Sequence, residues 1–242
     1  TGEGKGGDYS YKTALDGHQI TTAPWGEYEG IIEGVHVKKG ISTIMSFSFY
    51  GLTKLKWAEI EDSVTSIAYS AFYNCTALKR VKLSEKLKSI DNMAFEYCSA
   101  LEEISFPESI TTIGWEAFCN CTSLKSINIP RNLNKCAKFA FEGCHNLRVI
   151  YIEDLLQWLN MEEWPSFSSP SLPDSETDFE YYIGDKALEN LVIPQEVTRI
   201  RKEAFIHGHN IKKVTFHENI EYIDQEAFSD CDNLELANDK LP

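Results

Sequence analysis

Leu101-x-x-Ile104-x-Phe106-Pro107-x-x-Ile110-x-x-Ile113-x-x-x-Ala117-Phe118-x-x-Cys121 is one period of a pattern that runs through most of this 242-residue chain. The Ala-Phe pair recurs at Ala71-Phe72, Ala94-Phe95, Ala117-Phe118 and Ala140-Phe141, each 23 residues after the last, and again at Ala204-Phe205 and Ala227-Phe228. Ser48-Phe49 stands one period upstream. The other columns keep step. The opening position reads Ile32, Leu55, Leu78, Leu101, Leu124, Leu147, Leu188, Ile211 and Leu234, and the closing one Leu52, Cys75, Cys98, Cys121, Cys144, Gly208 and Cys231.

A unit of 23 residues cannot bury its own apolar side, whereas stacked units share one continuous core. The alternation in Val81-Lys82-Leu83 predicts a short strand in each unit. The Ala-Phe-x-x-Cys segment predicts a turn or short helix on the far side, with the Phe filling the core. Nine openings give about nine coils.

These residues resemble the BspA-type leucine-rich repeat over about residues 32–236. The resemblance implies a leucine-rich-repeat solenoid, a right-handed α/β-type coil of short parallel strands with turns or short helices opposite. It also implies a surface or secreted protein whose role is adhesion or other protein binding, not catalysis. Glu61 and Ser84 depart from it where Pro is common, and Cys136 stands in an Ile column. Neither departure threatens the fold.

Residues 1–31 read as a Gly-rich start and an N-terminal cap over the open core, 32–236 as the solenoid, and 237–242 as a short end. An insertion at about 153–187 interrupts the period: Leu147 and Leu188 are 41 residues apart, an excess of 18. Within it, Asp154 to Met161 predicts a helix with Asp154 as N-cap. Leu156, Leu159 and Trp164 fall on the expected columns, so the helix is expected to pack on the solenoid. The competing reading exposes Trp158 or Trp164 as a binding anchor. Pro165 to Phe179 predicts a loop, and Tyr181 to Leu188 two short strands around Gly184-Asp185.

Lys plus Arg total 23 against 37 Asp plus Glu, a net charge of −14. That argues against nucleic acid and against anionic membranes as charge-driven partners. No apolar run approaches the ~20 residues of a membrane helix. The chain neither starts with Met nor shows a signal-peptide core, so it reads as processed, any signal or anchor having been removed. Its expected location is extracellular or at the cell surface.

Seven cysteines, five in one column, read as buried free thiols, because stacked Cβ atoms about 4.8 Å apart exceed the roughly 3.8 Å of a disulfide. No Cys-x-x-Cys pair is present and Cys119-Asn120-Cys121 has the wrong spacing for a zinc knuckle, so no metal is expected. His207-Gly208-His209 reads as a surface turn, and the Asn of Asn74-Cys75-Thr76 and Asn120-Cys121-Thr122 suits a turn. No phosphate loop, nucleophile–base pattern or cofactor motif occurs, so neither an enzyme nor a cofactor is expected.

The outward side of the strand column is the expected partner surface. Its members include Trp57, Arg80, Lys82, Glu103, Ser105, Asn128, Tyr151 and Lys213. Trp, Arg and Tyr are enriched among residues that dominate binding. The expected partner is an extracellular or host protein. A glycan held by the aromatic residues, or a spacer role with contacts only through the ends, are the alternatives.

Overall fold

In the computed structural model the described residues are 30–165 and 178–235, with residue 28 and two short strands at 12–13 and 19–20. The cap and the C-terminal end expected at 1–31 and 237–242 therefore lie largely or wholly outside them. β1 (Lys12–Thr13) pairs antiparallel with β2 (Gln19–Ile20). The remainder is a β-solenoid of about eight turns at 23-residue spacing. The opening column counts nine starts, the ninth being Leu234, one residue before the last described.

Strands fall on two faces: β3 (Gly34–Val37), β4 (Thr43–Ile44), β5 (Trp57–Ile60), β6 (Ser66–Ile67), β7 (Arg80–Lys82), β8 (Ser89–Ile90), β9 (Thr112–Ile113), β10 (Ser126–Ile129), β11 (Lys135–Cys136) and β12 (Val149–Ile152). On the first face β3, β5 and β7 stack in parallel, Val35 opposite Ala58 opposite Val81. Glu103 alone bridges from Arg80 to Ser126 and so to β10 and β12. On the second face Ile44, Ile67, Ile90, Ile113 and Cys136 stand opposite one another on β4, β6, β8, β9 and β11. Every pairing between consecutive units in these rows joins residues 23 apart, so the sequence period is the sheet register.

The third side is a turn rather than a helix. In successive units the residue before the Ala and the one two after the Phe both carry positive φ, as in Ser70 and Asn74, Met93 and Tyr97, Glu116 and Asn120. Such backbone costs about 1–2 kcal/mol for a non-glycine residue. It is held by hydrogen bonds between units, as where the N–H groups of Ser70, Phe72 and Asn74 donate to the carbonyls of Asn92, Ala94 and Glu96. Inside, Phe72, Phe95 and Phe118 stack nearly parallel with centroids 4.9 and 5.1 Å apart.

The cysteine column has a second job that packing does not reveal. Each thiol donates to the carbonyl of the preceding unit's Phe: Cys75 to Phe49 (3.1 Å), Cys98 to Phe72 (3.2 Å), Cys121 to Phe95 (3.3 Å), Cys144 to Phe118 (3.2 Å) and Cys231 to Phe205 (3.1 Å). All seven cysteines are free thiols.

The interruption is built differently from the expected columns. α1 (Leu155–Asn160) is capped by Asp154, whose side chain accepts from the Gln157 N–H at 3.0 Å. It lies between β12 and the second face and delays the next rung there. Glu163 pairs with Lys135, 28 residues on rather than 23. That puts Trp164 at the place opposite Cys136 that the columns assign to Leu159, so the apparent match of Leu156, Leu159 and Trp164 reflects helical spacing. Most of the loop expected at Pro165 to Phe179 lies outside the described residues.

The chain returns as β13 (Glu180–Ile183), parallel to β12 with Tyr181 opposite Ile150, and folds back as β14 (Lys186–Ala187) around Gly184-Asp185. The hairpin was expected; its parallel rung on β12 was not. The first face then breaks. It restarts as β15 (Asn190–Val192) with β17 (Lys213–Thr215), while β16 (Arg199–Ile200) and β18 (Tyr222–Ile223) restart the second.

Candidate functional site

Along the first-face strands inward and outward residues alternate, as pleating requires. Ala58 and Ile60 are buried while Trp57 is exposed, and Ile104 and Phe106 are buried while Glu103 and Ser105 are exposed. The rung between β7 and β10 is the weak one. There the Asn128 side chain takes both backbone groups of Phe106: the Phe106 N–H donates to Oδ1 and Nδ2 donates to the Phe106 carbonyl, each at 2.8 Å. The sheet dips at this rung into a cleft of about 420 Å³, lined by Arg80, Glu103, Ser105, Ser126, Asn128, Tyr151 and Glu153.

Five of the eight expected surface residues thus share one cleft. Trp57 stands one rung away, opposite Arg80, and is 37% exposed. Its indole occupies the space beside Gly34, where a Cβ would sit 2.2 Å from Trp57 Cε2. Lys82 is on the same face, paired with Glu59 at 2.9 Å. Lys213 is on β17, beyond the break. At the cleft's edge Tyr151 and Tyr182 form an aromatic pair with centroids 5.2 Å apart.

The reading of Trp158 and Trp164 as exposed anchors is corrected. Trp158 is 0% exposed and its Nε1 donates to the Ala204 carbonyl at 3.2 Å. In regular units that Ala carbonyl accepts from the preceding unit's Phe N–H. Trp164 packs half-buried against it, centroids 4.0 Å apart. Both belong to the core across the irregular unit.

Two residues of the cleft carry information that the sequence columns do not. Asn128 is committed to the backbone of Phe106, so its amide is structural. Glu153, which follows β12 in a turn, is missed because turn positions have no column. Its carboxyl is raised to about 7 by burial and by the hydrogen bond and charge of Glu108 beside it, and its Oε2 is buried with no hydrogen-bond partner.

The second face carries a larger hollow, about 610 Å³, lined among others by Ser89, Asn92, Thr112, Trp115, Lys135 and Glu163. No apolar column marks it. Asn92 Oδ1 accepts the Trp115 N–H at 2.8 Å, and Gly114 leaves the space that Asn92 fills.

On the flank of the middle turns, the position after the core Phe brings Glu96, Cys119 and Glu142 onto successive units, with Glu116 beside them. Among the described residues, Glu116, Cys119 and Glu142 are the group whose ligand atoms all lie close enough together, within 4.8 Å, to hold a metal ion. Burial and the Glu116 charge push the Glu96 carboxyl up to about 7, and burial with the three carboxylates pushes the Cys119 thiol up to about 12. The signal was present as a 23-residue spacing, but in a column that is not apolar. His207 and His209 do not converge: His207 Nδ1 is 3.6 Å from Asp230, and His209 Nδ1 3.7 Å from Asp178.

No helix among the described residues is long and apolar enough to cross a membrane. No curated protein matches the chain. Among solved structures it is similar to a leucine-rich repeat protein of T. pallidum, at 22% identity and a TM-score of 0.54, covering 94% of this chain and 88% of that one. It is also similar to one from Eubacterium ventriosum, at 22% identity and a TM-score of 0.53, covering 89% of this chain and 63% of that one. At these identities the likeness shows the fold. The family model for the BspA type leucine rich repeat region matches six copies over residues 28–162 and 163–238. With the 23-residue register and the Phe stack, that match settles the matter: the chain belongs to the BspA-type leucine-rich repeat family.

Proposed function

We propose that this chain is a non-enzymatic, adhesin-like protein-binding module, secreted or displayed at the cell surface, whose partner lies across the first face. The observation that carries the reading is the convergence of Arg80, Glu103, Ser105 and Tyr151 on one cleft, with Trp57 one rung away. An extended strand face is the surface that solenoids commonly offer to partners. An aromatic–arginine cluster around a depression is the kind of patch on which binding energy concentrates. Charges of both signs within it, Arg80 and Glu103, suit a partner that is itself of mixed charge.

The test is saturable binding to immobilised extracellular-matrix proteins and mucin at physiological salt. Arg80→Ala and Tyr151→Ala are expected to weaken binding at least tenfold while Lys213→Ala, beyond the break, leaves it unchanged. Binding that is abolished by free sugars and indifferent to the protein component would instead assign the glycan reading, which the Tyr151–Tyr182 pair favours. A folded protein that binds nothing in the panel would overturn the adhesin reading for those ligands.

A further inference from the structure

We propose that Glu116, Cys119 and Glu142, with Glu96 beside them in the same cavity, form a binding site for a divalent metal ion, with zinc the ion that suits the donor set.

The argument starts from how this protein treats acidic residues elsewhere. Because units repeat every 23 residues, side chains one period apart face each other, and like charges there are destabilising. The chain solves this by pairing opposite charges one period apart. Glu33 meets Lys56 at 2.7 Å, Glu59 meets Lys82 at 2.9 Å, Glu102 meets Lys125 at 2.9 Å, Glu108 meets Arg131 at 3.4 Å and Glu189 meets Lys212 at 3.0 Å. On the flank of the middle turns the rule fails. Glu96, Cys119 and Glu142 occupy the same position of three successive units, Glu116 adds a third carboxylate, and among the described residues no lysine or arginine forms an ion pair with any of them. The same column one and two units earlier holds Tyr73 and Tyr50, whose rings stack 4.9 Å apart. The acids are therefore not a requirement of the turn.

Two further observations point to a ligand. Glu96 is only 7% exposed, lines the same cavity of about 260 Å³ as Glu116, Cys119 and Glu142, and its side chain has no hydrogen-bond or ion-pair partner among the described residues. A carboxylate so enclosed and with no counter-charge is costly when ionised, and a bound cation would offset that cost. The sulfur is also prepared. Asn120 Nδ2 donates to Cys119 Sγ at 3.2 Å, the kind of outer contact that orients a metal-bound thiolate. Asn120 fits only because the next unit has Gly143, where a Cβ would stand 2.5 Å from Asn120 Oδ1.

The donors choose the ion. A thiolate disfavours calcium and magnesium, which take oxygen ligands, whereas one sulfur with carboxylates suits zinc. Ligands about 2.0–2.3 Å from a tetrahedral zinc stand roughly 3.5 Å apart. Glu116, Cys119 and Glu142, within 4.8 Å of one another, close on the ion by a shift of about an ångström, and Glu96 lines the same cavity beside them.

Cobalt(II) reports such a site optically. Titrated into the metal-stripped full chain at neutral pH, it is expected to produce a thiolate-to-metal charge-transfer band that one equivalent of zinc abolishes. Cys119→Ser is expected to lose the band, and Glu142→Gln to weaken zinc at least tenfold in competition with a chromophoric chelator. Zinc is also expected to raise the melting temperature of the parent chain and not that of Cys119→Ser. If Cys119→Ser fails to fold, Glu142→Gln, at a half-exposed position, carries the comparison. Absence of the band in the folded parent chain would overturn the proposal, as would a band that survives intact in Cys119→Ser or a zinc affinity unchanged in Glu142→Gln.

Discussion

Asn128 holds Phe106 by both ends of its side-chain amide, each bond 2.8 Å, and in doing so stands in for a strand that the first face lacks at that rung. Asn128→Ala leaves a half-buried N–H and carbonyl unpaired. Each unsatisfied buried group costs about 1–3 kcal/mol, so urea denaturation is expected to show a loss in that range. Asn128→Asp keeps the acceptor, loses the donor and adds a charge beside Glu153, and is expected to be at least as damaging at neutral pH. A loss of under a few tenths of a kcal/mol for Asn128→Ala would mean that the amide merely fills space.

Cys98 shows the parallel case inside the core. It is buried, and its thiol bonds the Phe72 carbonyl at 3.2 Å. Burial, with Cys75 and Cys121 nearby, pushes its thiol well above the ordinary value. Since the thiolate is the reactive species, Cys98 and Cys121 are expected to resist alkylation in the native state and to react only at the rate of unfolding. Cys231, raised to about 11 and half-exposed, is expected to react first among the column. Cys98→Ala removes a buried sulfur and a bond and is expected to cost about 1–3 kcal/mol in chemical denaturation. Native labelling of Cys98 ahead of Cys231 would contradict the register.

The same column shows how much of this protein is legible in its sequence. Positions that face the core must be apolar in every unit, so Leu101, Ile104 and Phe118 announce their places and fix the register of both faces. Positions on the flank of the turns are not required to be apolar, so the Glu96–Cys119–Glu142 alignment, though Glu96 and Cys119 are buried, carries no apolar signature and reads as noise. The strand-face residues fall between these cases. Pleating places Arg80, Glu103 and Tyr151 outward from sequence alone, but the cleft depends on Asn128 bonding Phe106, a tertiary choice. The irregular unit misleads because a helix spaces apolar residues three and four apart, which lets Leu156 and Leu159 imitate the columns while Glu163, not a column residue, sets the rung.

Glu153 links the cleft to pH. Its carboxyl faces Glu108, with Asn128 and Arg131 also against it, and is raised from 4.5 to about 7. A carboxyl raised in the folded state binds its proton more tightly there than in the unfolded chain. Its contribution is therefore most favourable below about pH 4.5 and is lost as pH rises through 7. Glu153→Gln is expected to flatten that part of the stability profile relative to the parent chain, measured as the urea midpoint from pH 4.5 to 8. Identical profiles for parent and variant would show that Glu153 titrates normally.

Trp158 decides whether the solenoid unfolds as one body. Both sheets end at the irregular unit, and among the described residues the backbone pairing across it is the isolated Phe179–Gly208 bridge, where the Phe179 N–H donates to the His207 carbonyl at 2.8 Å and the His209 N–H to the Phe179 carbonyl at 3.0 Å. The connections that remain include Trp158 Nε1 to the Ala204 carbonyl, Tyr181 hydroxyl to the Ile206 carbonyl at 3.0 Å, and the two bonds between Asn210 and the Tyr181 backbone. In a repeat protein, cooperativity depends on the interface between neighbouring units. Trp158→Phe keeps most of the packing and loses one bond, an expected cost of about 0.5–1.5 kcal/mol with a single transition. Trp158→Ala also opens a cavity, an expected cost of about 3–5 kcal/mol. Because that cost falls on the interface where the regular strand pairing is interrupted, urea unfolding is expected to split, with the units from β15 onward melting before those up to β12. A single cooperative transition in Trp158→Ala would show that Tyr181, Phe179 and Asn210 suffice to hold the two stretches together.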